Sequence, residues 1–286
     1  MAVYRRGYQR YRGDLTGRWA RLLVLPRFAW QRLLQQRLVV IILVVSLFWP
    51  LACGMFIYLS NHRELLFGLA PDNPQIFEIN NTFFLIFMNA QSVFAVILSA
   101  FAGPSLIAPD LSNGALALYF SRPLSRVEYV LARMIVLVGV LSPVTWIPGV
   151  VLFLEQSGMA GWNWFADNWH LGAAIFLGFM LWILLVSLVA MASSAYVRWR
   201  IVAGALVLGV FFVLAGASEL ANAVLLVEWA AAFNPARNMN QIWHWLLGAD
   251  PLPGPGIAAC VIAVSIMVAV LVAVLERKLR PVEVVS

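Results

Sequence analysis

Six long apolar stretches constrain the fold of this 286-residue chain more than any other feature of its sequence. A bilayer with an apolar core of about 30 Å is crossed by about 20 residues of α-helix, because each residue adds about 1.5 Å. Each stretch is long enough, so the fold class predicted is an all-α integral membrane protein with six transmembrane helices. The stretches are 38–60, 82–103, 127–153, 171–192, 201–218 and 256–275.

The composition excludes a water-soluble protein. Hydrophobic residues make up 63% of the chain and charged residues only 11%, whereas soluble domains have about 25% charged residues. This leaves too little polar surface to cover a soluble core, so lipid must replace water around much of the chain.

The basic residues are distributed unevenly between alternate sides of the six predicted spans. With the N-terminus inside, all 19 lysines and arginines except Arg63 and Arg237 fall on the inner side. Basic loops stay on the cytoplasmic side of a membrane, so both termini are expected to be cytoplasmic. The expected location is a plasma membrane, specifically a bacterial inner membrane. The net charge of +6 indicates that the basic residues contact anionic membrane lipid. Nucleic acid is not expected as a partner.

The chain is interpreted as one transmembrane domain, residues 1–286. Residues 1–37 form a cytoplasmic basic tail and an interfacial helix, residues 38–275 form the six-span bundle, and residues 276–286 form a cytoplasmic tail. No internal repeat or linker of low complexity indicates a second domain.

Residues 15–37 are predicted to form an amphipathic helix at the membrane interface. Apolar side chains recur there at helical spacing, with arginines between them. Pro26 is expected to divide this segment into two short helices, because proline cannot donate a helical hydrogen bond. The alternative is a disordered basic tail. The apolar positions are Trp19, Leu22, Leu23, Trp30, Leu33 and Leu34.

The outer connection before the last span, residues 219–255, is long and not very polar. Residues 223–232 and 241–247 are each too short to cross the membrane, so they are predicted to be re-entrant or surface helices. Asn234 and Pro235 are expected to form the break between them. The other two outer connections are expected to be ordinary loops: residues 61–81 and 154–170.

The sequence lacks the residues that several chemistries require. A Walker A loop needs a lysine after a glycine-rich turn, and the only lysine is Lys278 near the C-terminus. The three histidines are isolated, and Cys53 and Cys260 are expected to be buried thiols. We therefore predict no catalytic residue, no metal site and no cofactor bound by this chain.

Few polar groups fall within the predicted spans. Glu128 and Arg133 are the ionisable ones, and both lie near the inner end of the third span, so a proton relay at the midplane is not expected. Asn89 and Gln91 are the deepest uncharged polar pair in the second span. They either bond neighbouring helices or line a substrate path. Two prolines in the third span are expected to kink it.

The connection between the second and third spans, residues 103–134, carries the most local information. Asp110 or Ser112 can cap a short helix, and Pro123 forces the residue before it out of a helical conformation. Ser125 and Glu128 then form a Ser-x-x-Glu capping box at the start of the third span. Such a surface suits docking of a cytoplasmic partner, and the alternative is a well-capped loop with arginines at the interface.

This connection resembles the segment that permeases of the ABC-2 type carry between their second and third spans. The six-span plan, the amphipathic N-terminal helix and the re-entrant stretch are similar to the same family. In that family the first acidic position is often glutamate, whereas this chain has Asp110. The residues that carry the likeness are Asp110, Gly114, Leu116, Leu118, Ser121, Arg122, Pro123, Leu124, Ser125, Arg126, Glu128 and Tyr129.

The resemblance implies the membrane subunit of an ATP-driven ABC exporter. In such a complex two permease chains, identical or homologous, associate with two ATPase subunits that bind ATP and magnesium. The segment from Asp110 to Glu128 would be the coupling helix seated on an ATPase, and substrate would pass between the permeases. This chain would then not be an enzyme itself.

Three alternatives stay open at this point. A secondary transporter or channel is disfavoured by the scarcity of charge within the spans, although sodium can bind to backbone carbonyls. A membrane transferase would need polar catalytic groups clustered at an interface. A scaffold without transport activity would not depend on ATP hydrolysis.

Overall fold

The computed structural model describes residues 18–62, 78–112, 126–197 and 199–278, without the side chains of 18–25, 111–112 and 126. Every element of regular secondary structure in these ranges is helical. Six of the helical segments are long and apolar enough to cross a membrane. These findings confirm the prediction of a helical, multi-pass membrane protein.

The described α-helices are numbered here in chain order, and two short 3₁₀ turns interrupt the series. One turn, Ser142–Val144, separates α5 from α6, and the other, Trp229–Phe233, precedes α9. The helices are α1 Arg18–Leu34, α2 Arg37–Asn61, α3 Asn81–Ala102, α4 Pro104–Ser112, α5 Arg126–Leu141, α6 Trp146–Ala160, α7 Trp162–Tyr196, α8 Arg200–Leu225, α9 Pro235–Leu247 and α10 Ile257–Lys278.

The six spanning segments coincide with the six predicted stretches and extend beyond several of them. The extension arises because helical hydrogen bonding continues through polar residues that lie past the apolar core. The segments are Arg37–Asn61, Asn81–Asp110, Val127–Ala160, Trp162–Tyr196, Arg200–Leu225 and Ile257–Lys278.

The loop predicted at residues 154–170 is wrong. Helix α6 continues to Ala160 and α7 begins at Trp162, so Gly161 alone separates them. Gly161 has a φ of 90°, a backbone conformation that glycine adopts without the steric cost of a Cβ. A single residue can therefore reverse the chain, and α6 and α7 pack as a helical hairpin.

The kink predicted in the third span is confirmed at Pro143. The chain passes through a 3₁₀ turn there, and Thr145 has φ and ψ of −112° and −98°. Side chains bond groups at the break: Thr145 Oγ1 donates to Leu141 O at 2.9 Å, and Trp146 Nε1 donates to Ser142 Oγ at 2.8 Å. The second proline of this span, Pro148, lies inside α6, which begins after the break.

The predicted division of the N-terminal segment at Pro26 is wrong, because α1 (Arg18–Leu34) continues through Pro26 without interruption. A proline costs an interior helix about 3 kcal/mol, which tertiary packing can exceed. Trp30 donates its Nε1 hydrogen to Val136 O at 2.9 Å. Its ring lies so close to Gly139 that a Cβ there would be 2.2 Å from it. This packing holds α1 against α5.

Helix α7 forms the centre of the bundle. In its most apolar window 72% of residues are buried, compared with 6% in α10. Trp182 of α7 packs against Trp243 of α9, with ring centroids 5.7 Å apart, and α7 also contacts α3, α4, α6, α8 and α10. The outer helices α2, α8 and α10 are left with large apolar surfaces exposed.

The connection before the last span differs in part from its prediction. Residues 223–232 do not form one helix, because α8 ends at Leu225 and Leu226 adopts a left-handed conformation with φ of 52°. The break at Asn234 is confirmed, and the helix predicted at 241–247 begins earlier, at Pro235. Asn234 begins α9 because its side chain accepts hydrogen bonds from Ala236 N and Arg237 N, at 3.1 and 3.2 Å.

The bundle has two chemically distinct ends. We call the end at which α2 and α8 begin the basic end, because Arg37 and Arg200 line one groove there. Lys278, at the end of α10, lies 5.1 Å from the ring of Tyr196. The opposite end, which carries α9 and the α6–α7 turn, is called the distal end.

Candidate functional site

Asp110 lies in the last turn of α4, at the basic end. Of the two predicted caps, Asp110 is wrong, because Pro104 starts a helix directly after α3 and that helix already contains Asp110. Ser112 is the last residue of α4, and the helix predicted after it lies outside the described residues. Gly103 forms the junction between α3 and α4, and a Cβ there would lie 2.6 Å from that of Ala190 in α7. The close approach to α7 therefore favours glycine at this junction.

A buried polar cluster surrounds the carboxylate of Asp110. Tyr129 donates its hydroxyl hydrogen to Asp110 Oδ2 at 2.8 Å, and Arg133 forms a salt bridge with the same oxygen. The guanidinium carbon of Arg133 lies 5.2 Å from the centre of the Tyr129 ring. We call these three residues the Asp110 cluster. It joins α4 to α5, the helices that precede and follow residues 113–125.

The Asp110 cluster is largely shielded from solvent. The side chains of Arg133 and Asp110 are 8% and 15% exposed. If one partner is removed, little water can reach the charge that remains. Removing one partner of such a buried pair therefore lowers the free energy of unfolding by about 3–5 kcal/mol. The cluster thus links the ends of α4 and α5, and the loss of one charged partner alone would be costly.

A small polar cavity adjoins the Asp110 cluster, between α1, α4 and α5. Its volume is about 150 Å³, which is enough for a few water molecules. Its polar lining comes from α1, the start of α2, α4 and α5: Arg32, Gln36, Ser105, Asp110 and Arg133. The cavity thus connects the N-terminal helix to the Asp110 cluster.

The other residues of the predicted coupling segment are described only in part. The backbone of Arg126 begins α5 and Glu128 lies in its first turn, as expected for a helix that starts after Ser125. Ser125 itself lies outside the described residues, so the capping box stays a prediction. The same holds for Gly114, Leu116, Leu118, Ser121, Arg122 and Pro123.

Both polar residues of the second span bond neighbouring helices. Gln91 is fully buried and donates from Nε2 to Ser46 O of α2 at 3.0 Å, while its Oε1 has no hydrogen-bond partner among the described residues. Asn89 donates from Nδ2 to Leu85 O at 2.9 Å and to Asn240 Oδ1 of α9 at 3.2 Å. The placement of a substrate path near these residues stays a prediction.

Helix α9 is fixed to the distal end by neutral polar groups. Trp243 donates from Nε1 to Gly178 O of α7 at 3.1 Å, and Gln241 Oε1 accepts from Leu252 N at 2.8 Å. Asn238 donates to Ala232 O at 2.6 Å. Asn89 lies eight residues after the start of α3. Its hydrogen bond to α9 is therefore about 12 Å along α3 from the first residue of α3.

The described part of the chain contains no cluster of side chains arranged to bind a metal ion and no pair of cysteines in contact. No group of three or more His, Cys, Asp or Glu residues there is placed to hold a metal ion. Cys53 and Cys260 are both buried and free of disulfides, as predicted. His170 lies in the first part of α7.

Sequence reasoning found Asp110 but not the partners that hold it. Tyr129 and Arg133 are four residues apart in α5, so they share a face of that helix. That spacing, with a single carboxylate at the end of the preceding span, was the available signal. No family model and no curated protein matches the chain. The six long apolar helices define a multi-pass helical membrane protein.

Proposed function

We propose that this chain is the permease subunit of an ATP-driven ABC exporter, in which a separate chain hydrolyses ATP. The supporting observation is the Asp110 cluster, which joins the helices on either side of residues 113–125. A segment that transmits force between subunits needs firmly held ends, because a loose end would absorb the displacement. A buried ion pair provides such a constraint.

The displacement would pass from the segment into the bundle through α4. This helix continues α3 after the Gly103 junction and packs against α7 and α8. The Asp110 cluster adds α5, so movement of residues 113–125 would act on several spans together. ATP and magnesium would be bound by the partner ATPase, and substrate would pass between two permease copies.

The membrane placement completes the proposal. The basic end faces the cytoplasm of a plasma membrane, with both termini on that side, because nearly all basic residues would then be cytoplasmic. Helix α1 lies at the membrane interface. Helix α9 is re-entrant, and the hydrogen bond that its Asn240 accepts from Asn89 of α3 supports a position below the distal surface.

Co-purification from native membranes tests the proposal. A subunit with a Walker A sequence is expected to accompany the wild-type chain. Gly114→Trp should reduce its recovery, because the larger side chain would prevent close approach. Reversing Arg122 and Arg126 to glutamate should weaken assembly or separate ATP hydrolysis from transport, while the spans still insert.

The matched control is reversal of Arg10 and Arg12, which removes the same charge from the N-terminal tail. Equal recovery of the ATPase and equal coupling in both charge-reversal variants would contradict the proposal. Transport by this chain alone in liposomes, driven by an ion gradient, would instead identify a secondary transporter or channel.

A further inference from the structure

A wide groove opens on the side of the bundle at its basic end. Its volume is about 880 Å³, and it lies between α2 and α8 with the end of α3 as its floor. Helices α2 and α8 both pack against α3. Gly204 brings α8 close to α3, since a Cβ there would lie 2.5 Å from Ala100 O. The groove is thus a feature of the helix packing.

The groove is apolar along its length and basic at its mouth. From Arg200 to Leu208 it follows α8 for eight residues, which corresponds to about 12 Å. Phe101 and Ala205 contribute to its apolar lining. Arg37 lies at the mouth beside Arg200, whose guanidinium donates a hydrogen bond to Gln36 Oε1.

No described carboxylate lines the groove beside Arg37 and Arg200, and neither arginine forms a salt bridge with another described residue. Arg32, which lines the neighbouring cavity with Asp110, is close enough to repel Arg200. Arg37 and Arg200 are also the first residues of α2 and α8, and neither helix has a side-chain cap. The positive ends of two helix dipoles therefore add to the charge of the arginines.

We propose that this groove binds one anionic phospholipid from the leaflet at the basic end. The phosphate would lie between Arg37 and Arg200, and an acyl chain would run along α8 over Phe101 and Leu208. The combination of an apolar channel and a basic mouth fits an anionic amphiphile. If two copies of the chain packed around a two-fold axis at the groove, the arginines of one copy would face the same arginines of the other. Their repulsion would cost free energy. The proposal does not depend on an ATPase partner.

Native mass spectrometry of the full-length chain tests the proposal, with phosphatidylglycerol, phosphatidylcholine and inorganic phosphate as separate probes. The wild-type chain should retain phosphatidylglycerol more tightly than phosphatidylcholine. Combining Arg37→Gln with Arg200→Gln should weaken phosphatidylglycerol binding about 30-fold, since each basic residue near an anionic headgroup contributes a factor of about five. The control combines Arg27→Gln with Arg277→Gln, which removes the same charge outside the groove, and should change affinity less than twofold.

A second variant tests the apolar part of the groove. Ala205 is exposed in the groove, so Ala205→Trp should fill the space and reduce lipid retention while the arginines remain. Four results would overturn the proposal. They are equal affinity for both lipids, displacement of phosphatidylglycerol by millimolar phosphate, equal losses in the groove and control arginine variants, and a dimer in which a second copy excludes lipid from the groove.

Discussion

The basic and distal ends of the bundle differ in how they hold their helices together. At the basic end a carboxylate, a phenol and a guanidinium form one buried cluster between α4 and α5. At the distal end Asn234, Asn238 and Gln241 bond mainly to backbone groups and keep α9 in place. The one described salt bridge of the distal end, Arg237 with Glu219, is much more exposed, at 32% and 57%.

This difference matters because charge and neutral polarity respond differently to disturbance. Removing one partner of a buried ion pair lowers the free energy of unfolding by several kcal/mol, whereas a single neutral hydrogen bond contributes about 1 kcal/mol to it. We infer that the basic end is built to resist separation of two particular helices. The distal end spreads its stability over several weaker contacts, so no single one controls it.

The largest effect is expected for Asp110→Ala. The free energy of unfolding should fall by about 3–5 kcal/mol, because Arg133 would lose its carboxylate at a site with little access to water. Adding Arg133→Met should recover most of this loss, since the charge is removed together with its partner. Denaturant unfolding of the purified chain, followed by tryptophan fluorescence, measures both changes. A loss below 1 kcal/mol would remove the contrast between the two ends.

An intermediate effect is expected for Asn234→Ala at the distal end. The first turn of α9 would lose an acceptor for two backbone N–H groups, which costs about 1–2 kcal/mol. Asn234→Ser retains an acceptor and serves as the matched control. Hydrogen exchange in α9 should accelerate in the alanine variant only. If exchange in α4 and α5 accelerated equally, the two ends would not be independent.

The smallest effect is expected for Glu219→Gln. The exposed pair with Arg237 should contribute less than about 1 kcal/mol, and less still at high salt. Arg237 also donates to Pro253 O at 2.7 Å, so it keeps one contact after the change. The unfolding assay used for Asp110→Ala gives a direct comparison of the two salt bridges. A loss as large as that of Asp110→Ala would show that exposure does not distinguish them.

Much of the fold was predictable because the bilayer limits helix length and composition. The six spans and the break at Asn234 follow from local sequence alone. The turn at Gly161 was missed because the tryptophan-rich residues around it continue the helices on both sides. The continuity of α1 through Pro26 depends on Trp30 packing against α5, a contact between residues far apart in the chain.

The candidate site was predictable only at its boundaries. Asp110 stood out as a candidate helix cap in the connection between the second and third spans, but its pairing with Tyr129 and Arg133 depends on side chains that reach from α5 to α4. That arrangement is set by tertiary packing, which spacing within the sequence does not report. The interhelical bonds of Asn89 and Gln91 were foreseen as one of two alternatives, although their partners were not.

The most direct test of the proposed permease role places a photo-crosslinking amino acid at position 114 and irradiates native membranes. Trp229, which is exposed at the distal end, provides the control position. For a permease seated on an ATPase, position 114 should become linked to a polypeptide with a Walker A sequence, whereas position 229 should not. Adducts from position 114 that contain only lipid, or the same ATPase adduct from both positions, would contradict it.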